Sequence, residues 1–373
     1  MSRLVYLDNA ATTFPKPPTV LRKTNFCLKK YIGNASRSSH SLSRKTGEAI
    51  YETRQKIADL LSFDAPENIC FTYNATYALN FAIKGFITEK CHVITSDFEH
   101  NSVIRPLEAL VKRYGIEYTP INSADNTASE LEKALRKDTK GIVISLASNV
   151  IGRSISLKTL SDFALSKGLF LIVDASQLIG HEEIKLKETP VSALCAPGHK
   201  ALFGIQGSGF VLFKDNKRFE TIIEGGSGSE SISKFMPSYL PEGYEPGTLA
   251  APSIISLGAG IDYIKMIGLD NIKRRLKYLS DMTFERLSTL KKIKLYDYGN
   301  GLISFGVPNV SSSKISELLD KDGICVRGGL HCAPSIHNVL GTTNYGLVRI
   351  SFSYLNEKSD VENLYKSLKS ILS

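Results

Sequence analysis

The sequence predicts an α/β protein with a large domain built on a mostly parallel sheet and a smaller C-terminal α+β domain. Two observations support this prediction. Between about residues 65 and 215, short apolar runs alternate with segments that carry apolar residues at helical spacing. After Thr248, a long helical region is followed by shorter strands and helices in mixed order. The length of 373 residues is ample for two domains.

The apolar runs are nearly continuous and rich in residues that favour strands. They lie at 68–73, 91–96, 141–148, 169–176, 191–197 and 207–213. Strands that are apolar throughout and alternate with helices are typical of a parallel sheet covered on both faces. We therefore expect a buried sheet with helices on each side.

The C-terminal third predicts a different kind of unit. A helical region from Ser253 to about Leu290 precedes strands near 292–298, 301–307, 323–329 and 347–353, with helices near 311–321 and from Ser359 onward. We predict a large domain of residues 16–252 and a small domain formed by residues 1–15 and 253–373. The Gly- and Ser-rich stretch 225–247 also holds apolar residues, so we expect an ordered functional loop there.

Composition excludes several classes of protein. The net charge of +9 is modest for this length, and basic stripes interleaved with aromatic residues are missing, so a nucleic-acid partner is not expected. No apolar run approaches the ~18 residues that span a bilayer, and Asp8 interrupts any secretory signal. The six cysteines form no C-x-x-C pair and are expected to be free thiols. We expect a cytoplasmic protein without a membrane partner.

Asp174 and Lys200 are the first candidates for chemistry, because Asp174 comes directly after the apolar residues LFLIV and the segment GHK, which ends in Lys200, comes directly after VSALCAP. Ligands of open α/β sheets bind beyond the carboxyl ends of the strands, although Asp174 could equally be a helix N-cap. Lys200, in Gly198–Lys200, could be an ordinary exposed lysine or a desolvated nucleophilic amine. An acid that pairs with a ring nitrogen, together with a Schiff-base lysine, is what pyridoxal phosphate enzymes require.

The C-terminal segment RGGLHCAP supplies a candidate nucleophile. Cys332 follows a Gly-Gly turn, which predicts a loop, and Arg327 and His331 lie near enough in sequence to favour a thiolate. Cys325, between two apolar residues of a predicted strand, is expected to be inert core. Arg349 lies within an apolar strand and needs an anion, either an internal carboxylate or a substrate carboxylate.

Taken together, these motifs resemble those of the group-II cysteine desulfurases and selenocysteine lyases in the class V aminotransferase family. The resemblance extends from YLDNAATT at Tyr6 to RISFSYLNEKSDVENL. Between them, FTYNATYALN, DFEHNSVIRP, SNVIG, VDASQ, GHK, YEPGT and RGGLHCA occur in the family's order. It implies the fold of the fold-type-I pyridoxal-phosphate-dependent transferases.

The resemblance also implies which residues bind pyridoxal 5'-phosphate. The corresponding positions are Ala75, Thr76, His100, Asp174, Gln177, His199, Lys200 and Thr248. Lys200 would bond covalently to the cofactor, Asp174 would hold the ring nitrogen protonated, and His100 would stack on the ring. Thr248 would reach the phosphate of a partner subunit, which implies a homodimer.

For the reaction, the resemblance implies that Asn149 and Arg349 hold the carboxylate of L-cysteine and that Cys332 accepts its sulfur as a persulfide, leaving L-alanine. A sulfur-acceptor protein would then be a partner. L-selenocysteine as substrate, or another pyridoxal-phosphate-dependent lyase or aminotransferase on the same scaffold, are the alternatives. The chain departs from the family's pattern at Ser36, Leu330 and Pro197, and Pro197 removes a hydroxyl that would bind phosphate.

Overall fold

The computed structural model describes residues 4–35, 38–215 and 220–373, so Ser36 lies outside the described residues. Its strands, in chain order, are β1 (Val5–Tyr6), β2 (Ile69–Thr72), β3 (His92–Ser96), β4 (Glu117–Ile121), β5 (Thr139–Ser145), β6 (Phe170–Asp174), β7 (Ala193–Pro197), β8 (Gly209–Phe213), β9 (Lys294–Gly299), β10 (Leu302–Gly306), β11 (Ile324–Cys325), β12 (Arg327–Gly329) and β13 (Leu347–Ser351). Its α-helices are α1 (Pro18–Lys30), α2 (Ser41–Leu60), α3 (Ala75–Phe86), α4 (Asn101–Tyr114), α5 (Thr127–Ala134), α6 (Leu157–Lys167), α7 (Ala251–Ile267), α8 (Leu269–Ser288), α9 (Ser312–Lys321), α10 (Pro334–Leu340) and α11 (Lys358–Ile371).

The large sheet has seven strands in the order β2-β8-β7-β6-β5-β3-β4. All neighbours are parallel except β8, which is antiparallel to both β2 and β7. The six predicted runs became β2, β3, β5, β6, β7 and β8, and the mostly parallel α/β fold is confirmed. The edge strand β4 was missed, because Glu117 is exposed and Pro120 lacks a backbone donor, a pattern that strands tolerate only at a sheet edge.

Successive residues of the central strands enter two separate hydrophobic clusters. In β5, Ile142 and Ile144 join one cluster while Val143 joins the other. The first cluster includes apolar residues of α2, α6 and α7, and the second those of α3 and α4. Successive side chains of a strand point to opposite faces of the sheet, so the two clusters lie on opposite faces. The sheet is therefore covered by helices on both sides.

The C-terminal part forms a four-stranded antiparallel sheet in the order β12-β13-β10-β9. The N-terminal strand β1 pairs in parallel with β11, and Asp8 bridges to Ser351 at the end of β13. The first residues of the chain therefore lie against the C-terminal unit.

Gly268 divides the long predicted helical region into α7 and α8. Its φ of 86° lies in the region that glycine alone adopts freely. Helix α7 packs on α1 and α2, and a Cβ at Gly260 would come within 1.9 Å of the Leu202 carbonyl oxygen. Because α7 belongs by its packing to the large unit, we propose that the small domain begins near Gly268 rather than at residue 253.

No helix within the described ranges is long and apolar enough to cross a bilayer.

A buried ion pair fixes the segment that leads to Thr248. Arg54 of α2 contacts the Glu245 carboxylate and donates to the Ile69 carbonyl, and its guanidinium lies 4.6 Å from the centre of the Phe71 ring. The other Glu245 oxygen accepts from the Phe71 backbone N–H at 2.6 Å. The pair thereby ties α2, β2 and the YEPGT segment together.

Removing one member of this pair should be strongly destabilising. We expect Arg54→Met to lower stability by roughly 3–5 kcal/mol, because it leaves the Glu245 carboxylate buried and unpaired. Thermal unfolding measures the loss. The double variant Arg54→Met/Glu245→Gln removes the charge and retains an acceptor for Phe71, so it should recover part of the stability; a double variant no more stable than the single one would contradict this account.

Candidate functional site

Polar side chains converge where the parallel strands of the large sheet end. One cavity at this edge is lined by Asn74, Ala75, Thr76, His100, Ser102, Ser145, Ala147, Asn149, Asp174, Ser176, Gln177, Pro197, His199 and Lys200. Eight of the predicted site residues are among them. They come from loops spread over more than a hundred positions, which the parallel topology brings to one edge.

The first wall of the cavity is the N-terminus of α3. Asn74 caps the helix by accepting from the Tyr77 backbone N–H at 3.2 Å, which leaves Ala75 and Thr76 in the first turn. The Thr76 hydroxyl lies 2.8 Å from the Ser102 hydroxyl. Backbone N–H groups of a first turn, joined by hydroxyls, form a good environment for a phosphate.

His100 projects from the N-terminus of α4 as its N-cap. Its Nδ1 accepts from the Ser102 backbone N–H at 3.0 Å, so the proton of the neutral ring is on Nε2. Burial and the positive charge of Lys200 lower the pKa of His100 to about 4. The ring is therefore neutral at pH 7.

Asp174 ends β6 and is 6% exposed. One carboxylate oxygen accepts from the Ser176 backbone N–H at 2.9 Å, which is a local turn contact rather than the helix N-cap that the sequence left open. Gln177 donates to the Ala10 carbonyl at 3.2 Å. Among the described residues no cationic side chain forms an ion pair with Asp174, whose carboxyl group lines the cavity.

Lys200 follows β7 and is anchored through its backbone. The preceding carbonyl, of His199, accepts from the Thr12 hydroxyl, the Thr13 N–H and Lys16 Nζ at 3.1, 3.1 and 2.8 Å. The Thr13 hydroxyl donates to the Lys200 carbonyl at 2.7 Å.

The surroundings of the Lys200 amine favour its neutral form. Burial lowers the pKa of Lys200 to about 8, against the attraction of Asp174, and the cations of Arg349 and Arg327 act in the same direction as burial. The amine is therefore much closer to losing its proton at pH 7 than an exposed lysine would be. This agrees with the desolvated amine among the two sequence interpretations.

His199 and Pro197 flank this amine. Burial lowers the pKa of His199 to about 4, and its Nδ1 is buried without a hydrogen-bond partner among the described residues. Pro197 ends β7 and offers no hydroxyl to the cavity. The hydroxyls of Thr76 and Ser102 are available to a phosphate instead.

Asn149 and Arg349 join the two sheets. Arg349 is 1% exposed; it donates to the Asn149 carbonyl at 3.0 Å and forms an ion pair with Asp8 at 2.7 Å. The sequence left an internal and a substrate carboxylate open as its anion, and the structure shows the internal one. Arg349 does not line the cavity itself but lies behind Asn149, which does.

Cys332, in the C-terminal unit, does not line the cavity, but its backbone contacts the residue after His100. Its thiol is exposed, its carbonyl accepts from the Asn101 N–H at 2.7 Å, and Asn101 adjoins His100. Arg327 Nη2 lies 3.7 Å from Cys332 Sγ. The expectation that His331 also favours a thiolate was wrong: its ring turns inward to the Leu347 carbonyl, and burial lowers its pKa to about 2.

Two further predicted positions lie away from the cavity. Cys325 lies in β11 as predicted but is half-buried rather than part of the core, and burial raises its pKa. Thr248 is exposed, and its hydroxyl accepts from Asn34 Nδ2 at 3.3 Å. Thr248 therefore does not contribute to the cavity of its own subunit.

Besides Asn74 and Ser176 of the cavity wall, sequence reasoning missed four polar residues of the site. Ser102 and Ser145 line the cavity, Asp8 pairs with Arg349, and Glu99 lies beneath, 0% exposed. Glu99 accepts from Ser145 and Ser96, while burial raises its pKa to about 7. Ser145 could have been found, because it ends an apolar run as Asp174 does; the pairing of Asp8 had no signal in the sequence.

Comparison with known proteins identifies the family. The profile for "Aminotransferase class-V" matches residues 5–364. Curated relatives named "Probable cysteine desulfurase" include one from Halalkalibacterium halodurans, 30% identical over 99% of this chain and 93% of that protein. Another, from Methanothermobacter thermautotrophicus, is 30% identical over 98% of this chain and 94% of its own length.

Solved structures show the same fold. The apo cysteine desulfurase of Thermococcus onnurineus superposes with a TM-score of 0.92 at 29% identity, over 99% of this chain and 94% of that one. A cysteine desulfurase of Escherichia coli has a TM-score of 0.90 over 99% of this chain and 96% of its own, and at 23% identity supports the fold alone. The fold is that of the fold-type-I transferases. The chain belongs to the class V aminotransferase family, within its cysteine desulfurases.

Proposed function

We propose that this protein is a pyridoxal-phosphate-dependent cysteine desulfurase that converts L-cysteine to L-alanine and takes the sulfur onto Cys332. The observation that supports this most directly is that the C-terminal unit places Cys332 against Asn101, next to His100 of the cavity in the large sheet. The large unit supplies the Lys200 amine, with its lowered pKa, and the Asp174 carboxyl group at the end of a strand. The C-terminal unit presents the exposed thiol of Cys332, whose backbone carbonyl accepts a hydrogen bond from the residue after His100.

The donor set of the cavity suits pyridoxal 5'-phosphate. The first turn of α3 with the Thr76 hydroxyl would hold the phosphate, Asp174 the ring nitrogen, and Lys200 the aldehyde carbon. The buried, unpartnered Nδ1 of His199 is a further group that a phosphate can satisfy. When bound, the cofactor supplies an electron sink for the carbanion that forms at the substrate's Cα.

The protein's own groups would move the protons. With a pKa of about 8, Lys200 can accept a proton from the substrate Cα near neutral pH and return it to product. His100 is neutral with its proton on Nε2, so it can donate that proton to a neighbouring atom. The Asn149 side chain and the cation of Arg349 would fix the substrate carboxylate, with Asp8 keeping Arg349 in place.

The thiol would complete the reaction. Cys332 sulfur attacks the substrate's sulfur, so that an S–S bond forms as the substrate's Cβ–S bond breaks. The carbon skeleton takes up protons to become L-alanine, and Cys332 is left as a persulfide. The Arg327 guanidinium, 3.7 Å from Cys332 Sγ, can stabilise the attacking anion. A sulfur-acceptor protein would then take the sulfur from the exposed Cys332.

We also propose a homodimer whose sites share Thr248. Tyr73 and Tyr77 are large and exposed next to Thr248 around one cleft. Charge supports self-association: residues 9–47 hold eight Lys or Arg and no Asp or Glu, whereas residues 220–244 hold four Glu and one Lys. The hydrogen bond between Asn34 and Thr248 places the basic and acidic segments side by side. A twofold axis between them would bring the basic segment of each subunit against the acidic segment of the other.

Free thiols suit the location proposed for this enzyme. All six cysteines are unpaired, and four of them are buried. Free cysteines persist in a reducing compartment, which supports a cytoplasmic protein.

The role of Lys200 can be tested through the cofactor itself. Lys200→Ala should fold, because the backbone of this residue rather than its amine is anchored by Thr13. In Lys200→Ala, the visible absorbance band of the lysine-bound cofactor should disappear. Borohydride reduction should then no longer attach the cofactor covalently to the protein. Asp174→Ala should retain the lysine attachment and weaken cofactor binding. Release of alanine by Lys200→Ala at the native rate would refute the cofactor assignment.

The role of Cys332 is tested against Cys325. Cys332→Ser should bind cofactor and L-cysteine but lose alanine production, because a hydroxyl is far less acidic than a thiol and attacks sulfur poorly. Cys325→Ser should retain activity at a modest cost in stability. Mass spectrometry after exposure to L-cysteine should show one added sulfur on the peptide carrying Cys332. Undiminished turnover of L-cysteine by Cys332→Ser would favour the lyase alternative, whereas turnover of L-selenocysteine alone would not.

The shared site makes cofactor retention depend on assembly. Light scattering should show a dimer, with cofactor lost on dilution below the dimer dissociation constant. That constant should rise with salt, because paired surface charges are screened. A monomer that holds a full complement of cofactor would contradict the proposal. Thr248→Ala should lower the affinity for the cofactor while light scattering still shows the mass of a dimer.

A further inference from the structure

The backbone at the proposed nucleophile is held in an unfavourable conformation. His331 has a φ of 51° and Cys332 a φ of 57°. This left-handed region is disfavoured for residues with a Cβ, and two such residues in succession are uncommon. Surrounding contacts must therefore hold this conformation in place.

Besides the turn bond from the Ala333 N–H to the Leu330 carbonyl at 2.9 Å, three hydrogen bonds to other parts of the fold hold the segment. Asn149 Nδ2 donates to the His331 carbonyl at 2.7 Å, and the Asn101 N–H donates to the Cys332 carbonyl at 2.7 Å. The His331 ring, 2% exposed, makes the third, between Nε2 and the Leu347 carbonyl at 2.9 Å. The two carbonyl contacts come from the large unit, and the ring contact comes from the small one.

The third bond fixes the tautomer of His331. A carbonyl can only accept, so the proton of the neutral ring is on Nε2 and Nδ1 carries a bare lone pair. This Nδ1 is buried and has no hydrogen-bond partner among the described residues. A buried acceptor without a donor is costly, so a donor close by is to be expected.

His337 of α10 is one candidate, alongside Nε of Arg349, which is also buried without a partner among the described residues. The His337 ring is 0% exposed, with its centre 5.9 Å from that of His331 and its plane tilted by 33°. His337 Nδ1 lies 2.7 Å from the Thr342 hydroxyl, and its Nε2 is also buried without a partner in the described part of the chain. When the hydroxyl donates to Nδ1, the proton of His337 is on Nε2. The His337 ring then offers an N–H donor, which is what Nδ1 of His331 lacks.

We infer that His337 is a positioning residue for Cys332: its Nε2–H pairs with Nδ1 of His331, through a small rotation or one bridging water, and so keeps Cys332 in the left-handed conformation beside Arg327. The inference rests on the proposed role of Cys332 as nucleophile. Burial lowers the pKa of His337 to about 4 and that of His331 to about 2, so both rings are neutral at pH 7, as this pairing requires.

The test measures how fast Cys332 itself reacts. Cofactor-loaded protein is treated with iodoacetamide at pH 7, and alkylation of the Cys332 peptide is followed by mass spectrometry. His337→Phe preserves a ring without nitrogen atoms, and we expect about ten-fold slower alkylation because the thiol moves from Arg327. His337→Gln places an amide donor near the position of Nε2 and should recover most of the rate. In turnover of L-cysteine, kcat should fall with KM unchanged.

His92→Phe is the matched control. His92 is also 0% exposed, but both ring nitrogens are bonded, to Thr139 and Thr119, in the large sheet. This variant should lower the melting temperature and leave the alkylation rate of Cys332 unchanged. An equal loss of rate in His92→Phe and His337→Phe would show general destabilisation and overturn the inference, as would a native rate in His337→Phe.

A variant of Thr342 tests the same inference without altering either ring. Thr342→Val removes the hydroxyl that sets the tautomer of His337 and should slow alkylation by a smaller factor. If His337→Phe does not fold, Thr342→Val decides: an unchanged rate overturns the inference. Failure of the proposed function would be seen differently, because the unaltered protein would then release no alanine from L-cysteine. The alkylation rates of Cys332 in the variants could still be compared in that case.

Discussion

The segment from Asp8 to Lys16 holds the two units of the site in register. At one end, the Asp8 carboxylate pairs with Arg349 of the small sheet. At the other, donors from Thr12, Thr13 and Lys16 converge on the carbonyl before Lys200. Because one short stretch contacts both the Arg349 cation and the backbone at Lys200, it helps to set their separation, together with the hydrogen bond from Arg349 to the Asn149 carbonyl. Any displacement of this segment would move both groups at once.

The two ends of the reaction are constrained to different degrees. Lys200 follows a central strand and a tight turn packed by α7, so its backbone has little freedom. Cys332 is exposed and lies in a loop whose left-handed residues are disfavoured on their own. Hydrogen bonds from Asn101 and Asn149 supply the missing stabilisation. A strained but anchored loop suits the role proposed for Cys332, which would approach substrate and then present sulfur to an acceptor outside.

The strand-end residues could be predicted from sequence because periodicity and topology determine them. Continuous apolar runs identified six strands, and parallel strands bring Asp174 and Lys200 to one edge. The ion pair of Asp8 with Arg349 could not be predicted, because it joins residues 341 apart through a fold not yet known. Propensity also gave no sign of β4, where tertiary pairing overrides a proline. The direction of the His331 ring follows from the packing of the small sheet, which short-range spacing does not describe.

The Lys200 amine and the guanidinium groups of Arg327 and Arg349 are linked through their charges. Lys200, Arg327 and Arg349 face two carboxylates, Asp8 and Asp174, and the two guanidinium groups help to lower the pKa of Lys200. An anion bound beside those guanidinium groups would offset their repulsion of the ammonium. The amine would then become more basic when a substrate carboxylate is in place than in its absence. A base that strengthens as its substrate binds is suited to removing a proton from that substrate, and the same cations that attract the carboxylate bring this about.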